Sequence, residues 1–315
     1  MLRSSDVKNI RLPMVFRSDQ TEFVSYLAGL SGRRVFFDTL AGNNGDRLIS
    51  MGAAVAIGKA GVNLTDNPST ADLILLNGGG AMNDFWGGGI AKIEFYLREY
   101  PRHPLTIGPS SFLLESARLR DVIATRKQAV TLFCREMVSW KHLAYWGFSQ
   151  VADVRLSPDL AFELLETQFL AELRAASSEE HVLVAMRKDR EGNAGVLAKT
   201  KGAWLPKKVR RPLSRLRDFL VAKRSRGAVE QVLSEEALPR KMPTIWRDVS
   251  VSVGFDEFLE VIAASRVVVT DRLHVAIGGR LLDKRVCLFP GSYHKNAGVF
   301  EFSLSDEKAN VRLVK

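Results

Sequence analysis

The sequence predicts an α/β fold with two Rossmann-like domains that meet across a cleft. Short runs of apolar and β-branched residues alternate with stretches of helical length along the chain of 315 residues. Strands separated by helices of this length favour parallel sheets with helices on both faces. The alternation pauses around Ser157-Pro158-Asp159 and then resumes, which indicates two domains, over residues 1–165 and 166–315.

Strands and helices are predicted in alternation in both domains. In the first, strands are expected at 33–37, 71–77, 104–108 and 130–134, with helices running to residue 59 and over 90–99, 113–125 and 135–146. In the second, a helix over 168–176 precedes strands at 181–187, 244–246, 267–270 and 286–289, with helices over 255–264 and after Asp271. The carboxyl ends of parallel strands face the ligand crevice, so the turns after these strands should carry the binding residues.

The composition is that of a globular protein. Hydrophobic residues make up 46% and charged residues 25% of the chain, and no apolar run reaches the roughly 20 residues of a membrane helix. The first residues contain no apolar stretch typical of a signal peptide. Cys134 and Cys287 lie in apolar, strand-like contexts, which predicts buried free thiols in a reducing compartment. We therefore expect a cytoplasmic protein.

The excess positive charge lies in one segment, residues 199–226. Of the chain's 45 basic and 35 acidic residues, eleven and one fall within it, which leaves 34 of each elsewhere. Apolar residues such as Trp204 and Phe219 separate the charges. A basic amphipathic segment indicates contact with an anionic membrane surface or a lipid-linked substrate. A solvated basic loop and helix is the alternative, and nucleic acid is not the expected partner.

Two glycine-rich turns follow predicted strands of the first domain. Glycine allows a close approach of the backbone to a ligand, and a helix N-terminus attracts anions. The first turn also offers a helix N-cap, and the second fits either a substrate approach or a tight turn. We predict that both line the cleft, through Gly42, Asn43, Asn44, Gly45 and Asp46 in the first turn and Asn77, Gly78, Gly79 and Gly80 in the second.

Charged and titratable residues follow two strands of the second domain. Arg272 and His274 come directly after the strand at 267–270, and Arg187 closes the strand at 181–187. Histidine is suited to proton transfer near neutral pH, whereas a hydrogen-bonded buried histidine is the alternative for His274. A charged surface turn is the alternative for Arg187. His294, after the last predicted strand, is a secondary candidate.

Several common catalytic motifs do not occur. The chain has no GxSxG, HExxH or Walker A motif and no Cys/His spacing typical of zinc sites. It also has no GxGxxG dinucleotide fingerprint. We therefore expect neither a metal site nor a bound cofactor.

Five segments together resemble the polysaccharide pyruvyl transferase family. They follow the family's order and span nearly the whole chain. The most specific is the last, in which TDRLH precedes a downstream Ser-Tyr-x-Lys-Asn. The segments are GNNGD at 42–46, LLNGGG at 75–80, LFCRE at 132–136, LSPDLAFEL at 156–164, and VVVTDRLHVAI through SYHKN at 267–296.

This resemblance implies a glycosyltransferase B-like pair of Rossmann-like domains, with the acceptor on the first domain and phosphoenolpyruvate on the second. Family members transfer the enolpyruvyl unit of phosphoenolpyruvate to a sugar and close it into a ketal. The family's Arg-Leu-His triplet falls on Arg272, Leu273 and His274, with His274 and Arg272 in catalysis. Arg187 corresponds to a further donor-binding arginine, and Lys295 and Asn296 also belong to the donor side. The basic segment 199–226 departs from the family pattern as an insertion.

The resemblance also implies the partners. Phosphoenolpyruvate is a co-substrate, no other cofactor is expected, and the acceptor is a sugar of an exopolysaccharide or cell-surface glycan repeat unit. A lipid-linked acceptor would place the protein at the inner face of the plasma membrane. Two alternatives stay open at this point: a nucleotide-sugar glycosyltransferase of the same architecture, and a non-enzymatic protein that binds carbohydrate or nucleic acid.

Overall fold

The computed structural model describes residues 21–84, 87–187, 226–236, 238–239, 241–306 and 310–314. Apart from Arg226, the basic segment 199–226 lies outside the described residues. Arg226 holds its guanidinium 5.5 Å from the centre of the Trp246 ring. Within the described residues, none of the helices has both the length and the apolar character needed to span a bilayer.

The first half contains a seven-stranded parallel sheet. Its strands are β1 (Arg34–Asp38), β2 (Asn63–Leu64), β3 (Leu73–Leu76), β4 (Gly79–Asn83), β5 (Leu105–Leu113), β6 (Val130–Cys134) and β7 (Asp153–Leu156). The spatial order is β2-β1-β3-β5-β6-β7, and β4 pairs with the end of β5. The order changes direction beside β1, so a crevice forms at the carboxyl ends of β1 and β3.

The second half contains a five-stranded sheet, also parallel throughout. Its strands are β8 (His181–Ala185), β9 (Thr244–Trp246), β10 (Ser265–Thr270), β11 (Arg285–Leu288) and β12 (Val311–Leu313). The order is β12-β11-β10-β8-β9, which changes direction between β8 and β10. A second crevice therefore lies at the carboxyl ends of these two strands.

Helices cover the sheets. In the first half they are α1 (Glu22–Ala28), α2 (Asn44–Ala60), α3 (Gly88–Glu99), α4 (Arg118–Ala124) and α5 (Met137–Tyr145). In the second half they are α6 (Gln168–Ala175), α7 (226–235), α8 (Val249–Ser252), α9 (Phe255–Ala263), α10 (Leu273–Leu281) and α11 (Lys295–Val299). Short 3₁₀ helices lie at Pro68–Thr70, Phe148–Gln150 and Leu160–Leu164, and a π-helix follows α11 at Phe300–Leu304. The predicted fold class is confirmed.

The two halves share a continuous hydrophobic core. Leu48 of α2 and Ala161 and Phe162 of the 3₁₀ helix Leu160–Leu164 pack among the buried residues of the second half, including Leu273 and Val275. A helix of the first half is thus packed against α10, the helix that begins with the Arg-Leu-His triplet. Apolar burial of this kind holds the two crevices against each other.

The prediction was wrong in the region after β3. A turn was expected at the three glycines 78–80, but Gly79 already begins β4. The strand predicted at 104–108 continues to Leu113, and the following helix begins only at Arg118. A register shift between Ile107 and Ser110 accommodates Pro109, which has no backbone N–H for the ladder. The strand β7 was not predicted.

Candidate active site

His274 lies where the two crevices face each other. It is in the first turn of α10, and its imidazole reaches across to the first half. Its Nε2 lies 3.3 Å from Asp159 Oδ2 and 3.4 Å from Arg135 Nη1. On its other side the imidazole packs against Gly45, where an added Cβ would be 2.5 Å from Nδ1. The side chain keeps 14% of its surface exposed, so it is held firmly but remains accessible.

Asp159 is the buried carboxylate that holds this arrangement together. Its Oδ2 accepts a hydrogen bond of 2.6 Å from Arg135 Nη1, and its Oδ1 accepts one of 2.9 Å from the Ala161 amide. Burial raises the pKa of this carboxyl, but the hydrogen bond from His274 and the positive charges of His274 and Arg135 outweigh burial and lower the pKa well below its usual range. Because an ionised carboxylate only accepts hydrogen bonds, we assign a proton to Nε2 of His274.

Arg135 is a fully buried cation directed at the crevice. Its Nε donates to Ser111 Oγ at 2.9 Å. Its Nη2 has no hydrogen-bond partner among the described residues. An added Cβ on Gly80 would lie 3.3 Å from that Nη2 and 3.7 Å from Lys295 Nζ. A guanidinium from the first half and an ammonium from the second half therefore converge beside a glycine, an arrangement that suits an anion.

Arg272 forms a two-point ion pair with Asp248. Its Nε donates to Asp248 Oδ1 at 3.0 Å, and its Nη2 contacts Oδ2 of the same carboxylate. Both side chains are almost completely buried. The arginine for which donor binding was predicted thus lies at the carboxyl end of β10, and its charge is balanced by an acid from the loop before α8.

Three other residues predicted on the donor side lie in different environments, in the core, beyond the end of a strand and beside an aromatic ring. The Leu273 side chain packs in the core, so it is a structural residue of α10. Arg187 lies beyond the end of β8, and its amide donates to Asp271 Oδ1 at 2.7 Å. Lys295 is nearly buried, with Nζ 5.1 Å from the centre of the Tyr293 ring.

Asn296 fixes the loop that follows β11. Its Nδ2 donates to the carbonyls of Asp271 and Phe289 at 2.8 and 3.0 Å. Its Oδ1 is buried and has no hydrogen-bond partner among the described residues. Asn296 therefore ties this loop to the turn that contains Arg272.

His294 makes a second histidine–carboxylate contact between the halves. Its Nε2 lies 3.4 Å from Glu136 Oε1 and 3.4 Å from Ser139 Oγ. Burial raises the pKa of Glu136, while hydrogen bonds from His294 and from the hydroxyl and amide of Ser139 outweigh it and lower the pKa. The loop that carries Lys295 is thereby attached to the first half.

The first glycine-rich turn has mainly a structural use. Asn43 and Asp46 form a capping box at the start of α2, in which Asn43 Oδ1 accepts from the Gly45 amide and Asp46 Oδ2 accepts from the Asn43 amide, both at 2.8 Å. Asn44 donates to the carbonyls of Val249 and Val253, each at 3.0 Å. An added Cβ on Gly42 would collide with the Asp46 side chain. Gly45 of this turn also lies directly against the His274 side chain.

The second glycine-rich turn brings the backbone close to the cations. Asn77 is buried, donates to Ser50 Oγ at 3.0 Å and accepts from the Gly78 amide at 2.9 Å. A Cβ on Gly78 would lie 2.2 Å from the Pro109 carbonyl oxygen, and Gly79 has a φ of +147°. Gly80 is the residue that faces Arg135 and Lys295.

Sequence reasoning missed Arg135, Asp159 and Glu136 as site residues. Arg135 and Glu136 directly follow β6, and Asp159 lies three residues beyond β7. Their positions at the carboxyl ends of strands were a signal, because ligands bind at that edge of the sheet. Within the described residues, no group of three His, Cys, Asp or Glu side chains is placed to hold a metal ion.

Comparisons with known proteins concern the family and the fold of the chain. The model of the polysaccharide pyruvyl transferase family matches residues 6–293. Among solved structures, an uncharacterized protein from Klebsiella pneumoniae is similar, with 19% sequence identity and a TM-score of 0.63 over 93% of this chain and 97% of that one. At this identity the likeness concerns the fold. No curated protein matches the chain.

Proposed function

The chain belongs to the polysaccharide pyruvyl transferase family, and from this premise we propose that it transfers the enolpyruvyl unit of phosphoenolpyruvate to a sugar of a surface-glycan repeat unit. The product is a pyruvate ketal, and phosphate is released. The observation that carries the proposal is the buried Arg135, whose Nη2 has no partner among the described residues and is directed, like Lys295, at Gly80. A buried N–H group without an acceptor is costly, and an anion at this position would satisfy it.

Phosphoenolpyruvate matches this group of cations. It carries a carboxylate and a phosphate on one small carbon frame, and guanidinium groups bind such anions by two parallel hydrogen bonds. We assign Arg135 and Lys295 to direct donor contact. Arg272 contributes to donor binding by sharing its guanidinium between Asp248 and the donor, and Arg187 borders the same crevice.

The reaction requires movement of protons. Protonation of the methylene carbon creates an oxocarbenium-like centre at C2, and a sugar hydroxyl attacks it. The C2–O bond to phosphate then breaks, and a second sugar hydroxyl closes the ring. One hydroxyl proton replaces the proton delivered to the methyl group, and the other leaves with phosphate. We assign these proton transfers to His274, and Asp159 would stabilise the imidazolium that forms when His274 takes up a proton.

The membrane role of the basic segment is a further part of the proposal. A lipid-linked acceptor at the cytoplasmic face of the plasma membrane would be anionic and surface-bound. The uneven charge of residues 199–226 supports attraction to such a surface.

A donor screen by thermal unfolding, combined with His274→Ala, tests the assignment. A ligand at 100 times its Kd stabilises a protein by about 2.7 kcal/mol, so phosphoenolpyruvate should raise the unfolding temperature whereas nucleotide sugars should not. His274→Ala should keep this shift and lose about 10² to 10⁴ in transfer rate. Stabilisation by a nucleotide sugar alone would favour a glycosyltransferase, and stabilisation by neither donor would leave a binding protein.

A further inference from the structure

A second cavity opens at the carboxyl edge of the first sheet, at a distance from His274. Its volume is about 240 Å³. It lies between the ends of β4 and β5 and the first turns of α3 and α4. The residues that line it include Asp84, Gly87, Ile90, Glu94, Leu114 and Arg118.

Two adjacent strands lead from the candidate active site to this cavity. On β4, Gly80 lies beside Arg135, and Asp84 is four residues further on. On β5, Ser111 accepts from Arg135, and Leu114 is three residues further on. At about 3.3 Å per residue these paths measure about 10 to 13 Å. The cavity is therefore in line with the active site and more than one sugar ring away from it.

The lining combines hydrogen-bond acceptors and donors over an apolar floor. Asp84 and Glu94 are acceptors, and Asp84 Oδ2 already accepts from the Glu115 amide at 2.6 Å. The Ser116 hydroxyl and the Arg118 guanidinium are donors in the lining. Ile90 and Leu114 supply the apolar surface. Sugar hydroxyls both donate and accept, and a sugar ring has an apolar face.

The charge of the lining selects among sugars. Glu94 pairs with Arg118 at 2.8 Å, which leaves Asp84 as an uncompensated negative charge among the lining residues. A uronate or a phosphate placed there would meet like charge, which is unfavourable. This is the opposite of the cationic group around Arg135 and Lys295.

We propose that this cavity is an acceptor subsite that binds a neutral sugar unit of the glycan, more than one ring away from the unit that receives pyruvate. The assignment of the ligand as part of an acceptor rests on the proposed function. The subsite would make the enzyme prefer an oligosaccharide to its terminal monosaccharide, and a neutral chain to a uronate-containing one.

A filling variant and a charge variant test the proposal. Ala91→Leu places a larger side chain in the cavity from an exposed position of α3, and Ala54→Leu is the matched control on an exposed position of α2. Asp84→Asn removes the negative charge at constant size. The probes are neutral gluco- and galacto-disaccharides and trisaccharides, their monosaccharides, and matching oligo-uronates.

Binding is measured by calorimetry without donor, and transfer by acceptor KM. We expect Ala91→Leu to weaken trisaccharide binding and raise its KM about tenfold or more, with unchanged KM for phosphoenolpyruvate and for the monosaccharide, while Ala54→Leu changes nothing. Asp84→Asn should reduce the discrimination against oligo-uronates. Trisaccharide binding no tighter than monosaccharide binding, or an equal effect of both leucine variants, would overturn the subsite.

The outcomes separate the subsite from the proposed function. Loss of trisaccharide binding in Ala91→Leu, in a protein that transfers nothing from phosphoenolpyruvate, would support the sugar subsite and contradict the proposed reaction. Pyruvyl transfer with an unaltered dependence on chain length in Ala91→Leu would support the reaction and contradict the subsite.

Discussion

Gly45→Ala should displace the His274 imidazole without replacing any charged or titratable residue. Gly45 is the second residue of α2, and its Cα faces the imidazole of the second half. A Cβ at this position would lie 2.5 Å from His274 Nδ1 and 2.7 Å from its Cβ and Cγ. The substitution therefore forces either the imidazole or the start of α10 to move.

The expected size of the effect follows from these distances. Heavy atoms that are not bonded to each other pack at about 3.5 Å, whereas the added Cβ would lie 2.5 Å from His274 Nδ1. The imidazole must therefore move away by about 1 Å. A misplacement of about 1 Å can reduce a rate about 10²-fold. Alanine is a better helix former than glycine, by up to about 1 kcal/mol, which offsets part of the contact energy. We therefore expect a large loss in kcat with a small change in the free energy of unfolding.

Gly58→Ala is the matched control, because Gly58 lies in the same helix and has nothing within 4 Å of an added Cβ. The assay is phosphate release from phosphoenolpyruvate in the presence of acceptor, together with denaturant unfolding of both variants. Gly58→Ala should keep wild-type kcat. A wild-type kcat in Gly45→Ala would refute the placement of His274 in the reaction, and a loss of kcat in both variants would show that the helix, rather than the imidazole contact, is responsible.

Three further predictions concern the charged groups. Asp159→Asn should lower kcat and destabilise the protein by about 3–5 kcal/mol, because it leaves the buried Arg135 without its ion-pair partner. Folding lowers the pKa of Asp159, so the stabilisation by its carboxylate is complete above the unfolded pKa of about 4 and is lost as the pH falls further. The free energies of unfolding of wild type and variant should therefore converge only in acid. Arg272→Lys should cost about 1.5–3 kcal/mol of stability, because lysine cannot make the two-point contact with Asp248, and calorimetry should show weaker phosphoenolpyruvate binding; an unchanged affinity would make Arg272 purely structural. Replacing four basic residues of the segment 199–226 by glutamine should weaken binding to anionic vesicles, by about 1 kcal/mol for each charge removed. The same substitutions should leave activity on a soluble acceptor unchanged. Vesicle binding that survives them would contradict the membrane role. The four positions are Lys207, Lys208, Arg210 and Arg211.

The strands of the fold were predictable because they are short, apolar and buried on both faces. β6 and β10 are examples, since every residue of β6 is buried and β10 has one partly buried position. The end of β5 was harder, because Gly108, Pro109 and two serines have low strand preference. These residues form a strand because β4 and β6 pair with β5 on either side, and because the Ser110 hydroxyl donates a hydrogen bond of 2.8 Å to the Gly108 carbonyl. Such tertiary pairing leaves little trace in the local sequence.

The candidate site was predicted in part. His274 follows a buried strand directly, so its location at the crevice was expected from the sequence. Asp159 and Arg135 were not selected, because their contact with each other and with His274 forms only when three distant chain segments come together in the fold. Gly45 was predicted to approach a ligand, and the structure places it against His274. The glycine-rich turn indicated that position 45 needs a residue without a side chain, but it did not indicate that the neighbouring group would be the His274 imidazole.

The measurement that tests the central claim most directly is the mass of the acceptor after reaction. The purified protein is incubated with phosphoenolpyruvate and with lipid-linked glycan extracted from the cells that make it, alongside His274→Ala and a parallel reaction with nucleotide sugars. We predict that the glycan gains the mass of one pyruvate less one water, with one phosphate released for each glycan modified, and that His274→Ala abolishes both. No mass gain from phosphoenolpyruvate, together with the gain of a sugar from a nucleotide sugar, would contradict the account.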